Sequence, residues 1–123
     1  MKLMLVKLDA EPLLAENGKI GLDFLAQHND IKLIFCDVEM PVMNGLTMIK
    51  EIDTKVKKNE LQRVPIVMMT ALGHKQIIIK AKTYGIVGYL LKPVSREVVQ
   101  KLYNKFVLEA DGTDMPEEEA VGS

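Results

Sequence analysis

Cysteine occurs once in this chain, at Cys36, and tryptophan does not occur. One thiol cannot form an intrachain disulfide, and a thiol inside an apolar run reads as packing material in a reducing compartment. A cytoplasmic location is therefore expected. No apolar run approaches the ~20 residues of a membrane helix, and Met1 to Leu8 is too short and too soon broken by charge for a secretion signal. An excess of either charge is missing too: 16 Lys+Arg stand against 17 Asp+Glu, a formal net charge of −1. That balance leaves no electrostatic footprint for nucleic acid or for an anionic membrane. Nor does a phosphate-cradling glycine loop follow any strand, which counts against a nucleotide- or flavin-binding enzyme. No internal repeat is visible.

What is present is one domain's worth of chain, 123 residues at 48% hydrophobic content, enough to bury a core. Its eight methionines are read as adaptable core filling. The organising stretch is Leu33 to Gly45, LIFCDVEMPVMNG. Leu33 to Cys36 is apolar without alternation, as in a strand buried on both faces of a parallel sheet. Asp37 ends the run, at the strand end where open α/β sheets bind their ligands. Met40-Pro41 and Asn44-Gly45 then shape a loop into a helix. By itself Asp37 could equally cap its own loop, because one carboxylate makes no site.

On either side of this stretch the chain alternates strands and helices. In Met1 to Leu8, the residues Leu3, Met4, Leu5, Val6 and Leu8 fit a short buried strand or the last turns of a helix, and Glu11 to Ala15 a short strand. Asn17-Gly18 starts a helix with Ile20, Phe24 and Leu25 on one side, ending near His28, which is read as a solvated helix-end residue. Asn44 is placed to cap the next helix, along which Leu46, Ile49, Ile52 and Val56 recur, and its terminal Lys55, Lys57 and Lys58 complement the helix dipole. Ile66 to Thr70 is a second apolar strand. A helix from about His74 to Tyr84 carries Ile77, Ala81 and Tyr84 inward, with Ile78 and Ile79 partly exposed and Gly85 as its left-handed cap. Gly88 to Leu91 is the last strand, and Ser95 caps a helix bearing Val98, Val99, Leu102 and Phe106. Residues 1–109 are expected to form the domain, and the acidic, Gly- and Pro-broken 110–123 a disordered tail or linker remnant.

Asp37 in LIFCDVEMPVMNG, Thr70 in VPIVMMTA (Val64 to Ala71), Gly85, and Lys92 in GYLLKP (Gly88 to Pro93) occur in an order that closely resembles response-regulator receiver domains over roughly Asp9 to Phe106. Members take a phosphoryl group from a histidine kinase or phosphotransfer protein. The resemblance implies a flavodoxin-like, doubly wound three-layer fold, a parallel sheet in the order 2-1-3-4-5, here N-terminally shortened to four or five strands. It implies Asp37 as phosphoacceptor, Lys92 and Thr70 as its catalytic companions, and Thr70, Ala71 and Lys92 as phosphate-binding groups. Thr70 and Tyr89 match the family's switch pair, and Lys92-Pro93 its cis peptide bond. Mg²⁺ is the implied cofactor, held by Asp37 and the backbone carbonyl of Glu39. Read singly, Lys92 could be a surface lysine, Thr70 a strand former and Tyr89 an edge aromatic. A Schiff-base lysine would need a pocket and a general base that nothing here supplies.

The family pattern departs at the beginning. KLDAEPLLAENGK matches the end of the family's first helix and its second strand, so the first strand, with the acidic pair that holds Mg²⁺, has no counterpart. Leaving the sheet's central slot empty would cost roughly 1–3 kcal/mol for each buried backbone group left unpaired. Lys2 to Val6 could fill it, putting Asp9 or Glu11 near Asp37 as metal ligands; this is the favoured repair. In that case Glu11 to Ala15 cannot be its parallel neighbour, since a parallel crossover needs about a dozen residues. Alternatively a strand from another copy enters the slot, giving a strand-exchanged homodimer, or the flanking strands close up and pair directly. Weak Mg²⁺ binding and slow or absent phosphorylation are expected, and the alternative function is a pseudo-receiver interaction module with weak or no phosphorylation. Either form would bind targets or a second copy through the last two helices and final strand, where Ile78, Ile79 and Tyr103 offer apolar surface.

Overall fold

The structure, a computed structural model, describes residues 2–39, 43–71 and 75–109. Apolar runs bounded by polar punctuation become five strands: β1 (Leu3–Lys7), β2 (Leu13–Ala15), β3 (Ile31–Asp37), β4 (Ile66–Thr70) and β5 (Gly88–Leu91). The 3.6-residue patterns become α1 (Gly18–Gln27), α2 (Gly45–Lys57), α3 (Lys75–Thr83) and α4 (Arg96–Tyr103). A π-helical turn over Asn104–Leu108 extends α4, with the Glu109 N–H reaching back to the Asn104 carbonyl at 2.9 Å. The segment 110–123, the Met40-Pro41 turn and the helix start at His74 lie outside the described residues.

The strands lie in the order β2-β1-β3-β4-β5, the flavodoxin-like order expected from sequence. One strand runs the other way. β3, β4 and β5 are mutually parallel, but β1 is antiparallel to both β2 and β3, so the sheet is mixed and not parallel throughout. The cause is chain length: Leu8 to Pro12 joins β1 to β2, far too few residues for a crossover, so the two pair as a hairpin. Asp9, at φ 55°, makes part of its bend, a left-handed conformation that a short polar side chain tolerates. With β2, β3, β4 and β5 all pointing one way, β1 fills the central slot upside down. The chain's own β1 thus satisfies the inner edge of β3, and no strand from a second copy is needed there; nor do β2 and β3 close up.

Helices cover both sheet faces. α1, α2 and α3 pack on the first, over a core that includes Leu3, Leu5, Ile34, Cys36, Ile52, Met68 and Ala81. α4 and its π-helical extension pack on the second, over Val6, Leu33, Phe35, Val67, Met69 and Leu90. Three caps stand where the sequence placed them: Asn17 and Asn44 accept from the N–H groups of Ile20 and Thr47 at 3.0 and 2.9 Å, and Ser95 from Val98 at 3.2 Å. Gly85 ends α3 at φ 94°. Two side chains differ from the expectation. Ile20 is exposed, because Gly21 takes the inward position against Leu3, and Ile78 is buried, leaving Ile79 as the exposed one at 59%. Tyr103 packs toward the second core, where its hydroxyl oxygen accepts from the Asp9 N–H at 3.4 Å.

A charge cluster around one buried carboxylate ties α2 to the end of α3. Asp53, 5% exposed, receives Arg63 at 2.7 Å and Lys57 at 2.9 Å, and Arg63 also donates to the Tyr84 carbonyl at 3.2 Å. The lysines at the end of α2 therefore do more than complement its dipole. Hydrogen bonds from Arg63 first, and then from Lys57, hold the Asp53 carboxyl below its ordinary value of 3.8. A carboxyl lowered on folding stabilises the fold fully above that value, and the contribution is lost as pH falls through the folded one. Asp53→Asn is thus expected to be less stable than the parent at pH 7, with the gap closing as urea titrations move below about pH 4. An equal gap at neutral and acid pH would refute this.

Gly45 opens α2 against the end of β3. A Cβ there would sit 2.5 Å from the Asp37 carbonyl oxygen, which is backbone held on β3. Gly45→Ala gains about 1 kcal/mol of helix propensity, but the clash, typically 1–3 kcal/mol, falls on an atom that cannot turn aside. A net loss of stability in denaturant unfolding is expected, and a raised midpoint would show that β3 yields.

Candidate functional site

Four strands present their carboxyl ends at one rim, and the sequence-nominated side chains gather there because β3, β4 and β5 end in register. Val38, just past β3, donates its N–H to the Met69 carbonyl at 3.0 Å, and Lys92, just past β5, donates its backbone N–H to the Thr70 carbonyl at 2.8 Å. Asp37, Thr70 and Lys92 are thereby held at the ends of three adjacent strands.

Asp37 is 4% exposed and both its oxygens are engaged. The Lys92 ammonium lies 2.5 Å from Oδ2, and the Glu39 backbone N–H donates to Oδ1 at 3.0 Å. Lys92, whose side chain is 42% exposed, reaches from solvent over the end of β4 to do this. A buried carboxylate survives only when so paired. Thr70 is buried, and its hydroxyl donates to the Ala71 carbonyl at 3.0 Å. Strand alternation puts Thr70 on the same side of the sheet as Tyr89, which packs half-buried against the first core with the Lys82 ammonium 5.9 Å from its ring centroid. Lys92-Pro93 is cis. Cys36 is buried, and burial together with the neighbouring Asp37 charge pushes its thiol far up, so it is inert packing, as read from sequence.

Asp9 and Glu11 are not at this rim. Lys7 pairs with Ile31, at the opposite end of β3 from Asp37, and six residues of strand span about 20 Å. Asp9 lies past Lys7 in the hairpin bend, and Glu11 precedes β2 at the same far end. The reversal of β1 carries both away. The residue it brings to the rim instead is Lys2, whose carbonyl accepts from the Asp37 N–H at 2.8 Å; sequence reasoning missed this because strand direction decides it.

Mg²⁺ takes near-octahedral oxygen ligands. Of the donors nominated, the Asp37 carboxylate and the Glu39 carbonyl remain at the rim, and both Asp37 oxygens already have partners. Among the described residues no group of three or more His, Cys, Asp or Glu is gathered, and the cross-strand neighbour is a lysine. These residues do not fit a carboxylate-held Mg²⁺ site. A concavity of about 710 Å³ between α1 and α2 is lined by Asp23, His28, Glu51 and Lys55 and contains none of the nominated residues.

The family model for the response regulator receiver domain matches residues 1–104. The chain belongs to that family, and is a receiver module of two-component signalling. The "Chemotaxis protein CheY homolog" of Campylobacter jejuni is 33% identical over 87 residues, 71% of this chain and 65% of that protein's length. "Chemotaxis protein CheY1" of Helicobacter pylori J99 is 32% identical over 87 residues, 71% of this chain and 68% of that one. The chain thus spans slightly less than two thirds of the Campylobacter protein. Among solved structures, the receiver domain of Ssk1 from Saccharomyces cerevisiae, crystallised with the histidine phosphotransfer protein Ypd1, superposes with a TM-score of 0.70 at 26% identity, covering 85% of this chain and 74% of that one. A receiver domain from Clostridium thermocellum, with a TM-score of 0.68 at 24% identity over 81% and 76% of the two chains, shares the fold. Receivers are regulatory modules and those of the family generally bind Mg²⁺.

Removing Lys92 leaves a buried carboxylate short of its cation. Lys92→Met is expected to destabilise by about 1–3 kcal/mol, discounted from a fully buried pair because the lysine is partly solvated. The loss should shrink when Asp37→Asn is present, so a double-mutant cycle by urea unfolding decides: strictly additive losses would mean that the pair contributes nothing.

Proposed function

We propose that Asp37 accepts a phosphoryl group from a histidine kinase or a phosphotransfer protein, making the chain a regulatory module and not an enzyme acting on a separate substrate. The observation that carries this is the buried Asp37 carboxylate paired with the Lys92 ammonium at the carboxyl rim. An Asp37 oxygen attacks phosphorus, the P–N bond to the donor imidazole breaks, and the bond's electron pair leaves with the imidazole, which departs neutral when its other nitrogen carries a proton. Charge builds on the three equatorial oxygens, and Lys92 can move onto them from the carboxylate. The Thr70 hydroxyl and the Ala71 N–H are the further donors we assign to the phosphoryl group. Thr70 turning toward it from the Ala71 carbonyl would free space on the side that Tyr89 shares, and so couple the rim to α3, β5 and α4.

That face is where we place contact with a target or with a second copy, Ile79 being its exposed apolar side chain. The setting is cytoplasmic on this reading; no helix among the described residues is long and apolar enough to cross a membrane. A second reading, an interaction module in which Asp37 is inert, is favoured by the lysine that stands beside Asp37 where carboxylates would help to hold a metal.

Intact-mass measurement after incubation with acetyl phosphate separates the two. One added phosphate, absent from Asp37→Asn and from no other conservative rim variant, is the expected result. A folded protein that takes none, with or without Mg²⁺, supports the inert module.

A further inference from the structure

The upside-down β1 changes the charge of the site. Leu3 pairs with Cys36, and the Asp37 N–H bonded to the Lys2 carbonyl continues that ladder by one residue, so Lys2 stands directly opposite Asp37. Directly opposed residues of an antiparallel pair send their side chains to the same face, with Cβ atoms about 4.5–5.5 Å apart. Alternation identifies the face: Val6, Leu33 and Phe35 point into the second core, and so Lys2 and Asp37 emerge on that side. Lys92, two residues after Leu90 of the same core, emerges there as well. One carboxylate therefore carries the Lys92 ammonium on Oδ2, and the Lys2 side chain starts on the adjacent strand on the same face of the sheet. Lys2 is half-buried, and its ammonium is not part of the Asp37–Lys92 ion pair.

We propose that Lys2 is a second phosphate-binding cation of this site, and that Asp37 takes up and holds its phosphoryl group without a divalent ion. This rests on Asp37 being the phosphoacceptor. A phosphoryl group on Asp37 brings close to two negative charges into a site whose donors do not fit Mg²⁺. Two ammonium groups supply the same total positive charge as one such ion, and they hold it on side chains that the sheet has already positioned. With acetyl phosphate as donor the balance is simple: an Asp37 oxygen forms the new O–P bond, the P–O bond to the acetyl group breaks, and acetate leaves with the electron pair. No proton is gained or lost. Lys92 then exchanges its carboxylate partner for a phosphoryl oxygen, while Lys2 covers a second oxygen from the opposite side. Lys2 is a binding residue on this account, because it touches the transferred group.

The test labels the full chain with acetyl phosphate in excess EDTA or in excess Mg²⁺, read by intact mass. The parent should be labelled at similar rates in both. Lys2→Met should slow labelling in EDTA by about tenfold or more, less than the hundredfold or more of losing a fully enclosed donor because Lys2 is only half-buried, and Lys2→Arg, which keeps the charge, should recover most of it. Lys2→Glu should make labelling depend on Mg²⁺ and should gain a Mg²⁺-induced rise in Tm that the parent lacks. Labelling of the parent only with Mg²⁺, or a Lys2→Met rate equal to the parent's in EDTA, would overturn the proposal and leave Asp37 as phosphoacceptor intact. No labelling of folded parent protein under either condition would remove the phosphoacceptor reading, and this one with it.

Discussion

β3 lies in the interior of the sheet, and the N–H and C=O groups along both its edges must find partners away from water. That constraint governs the molecule. β4 meets it on one side with parallel bonds, and β1 on the other with antiparallel ones. The backbone does not require either direction, since both ladders satisfy the same groups. Direction is set by the connection: a five-residue link can close a hairpin and cannot make a crossover, so β1 must oppose β2, and through the shared sheet it opposes β3 as well.

From that choice follows the electrostatics of the rim. A strand inserted in the parallel sense would send its last residues to Asp37; inserted in reverse, it sends its first. Lys2 arrives and Asp9 and Glu11 are carried about 20 Å away. The carboxylate's ion pair with Lys92 is the means by which a buried negative charge is tolerated, and its cross-strand neighbour is a lysine and not an acid. A site assembled from strand ends is sensitive to strand direction in a way that a core is not. Hydrophobic packing needs only that the correct residues face inward, and Leu3, Leu5 and Val6 do so in either direction.

The two faces of the sheet are covered unequally. Three helices seal the first, where the contact of buried Asp53 with the partly exposed Arg63 ties α2 to the end of α3. The second relies on α4 and the widened π-helical turn that continues it, which places Phe106 and Val107 against the sheet. The same face leaves Leu14 and Leu108 exposed toward its margins. The rim lies between these two environments, with Thr70 and Tyr89 directed to the well-covered side and Asp37 and Lys92 to the other.

Sequence by itself determined the strands and helices after Leu8, their caps at Asn17, Asn44 and Ser95 and the left-handed Gly85, while the order of Asp37, Thr70 and Lys92 pointed to one rim through the family pattern. The elements and caps follow from local rules, because periodicity, turn chemistry and the end of an apolar run act over a few residues. It could have revealed the Asp53–Lys57 pair from its i,i+4 spacing, though the arrival of Arg63 depends on the loop after α2. Only the tertiary structure decided the direction of β1, the inward place of Gly21 instead of Ile20, the burial of Ile78 beside an exposed Ile79, and the identity of Asp37's cross-strand neighbour. An alternating or uniformly apolar strand buries the same side chains whichever way it runs, so its pattern carries no arrow; the arrow comes from which partner edges and which connections are available once the rest of the sheet has formed.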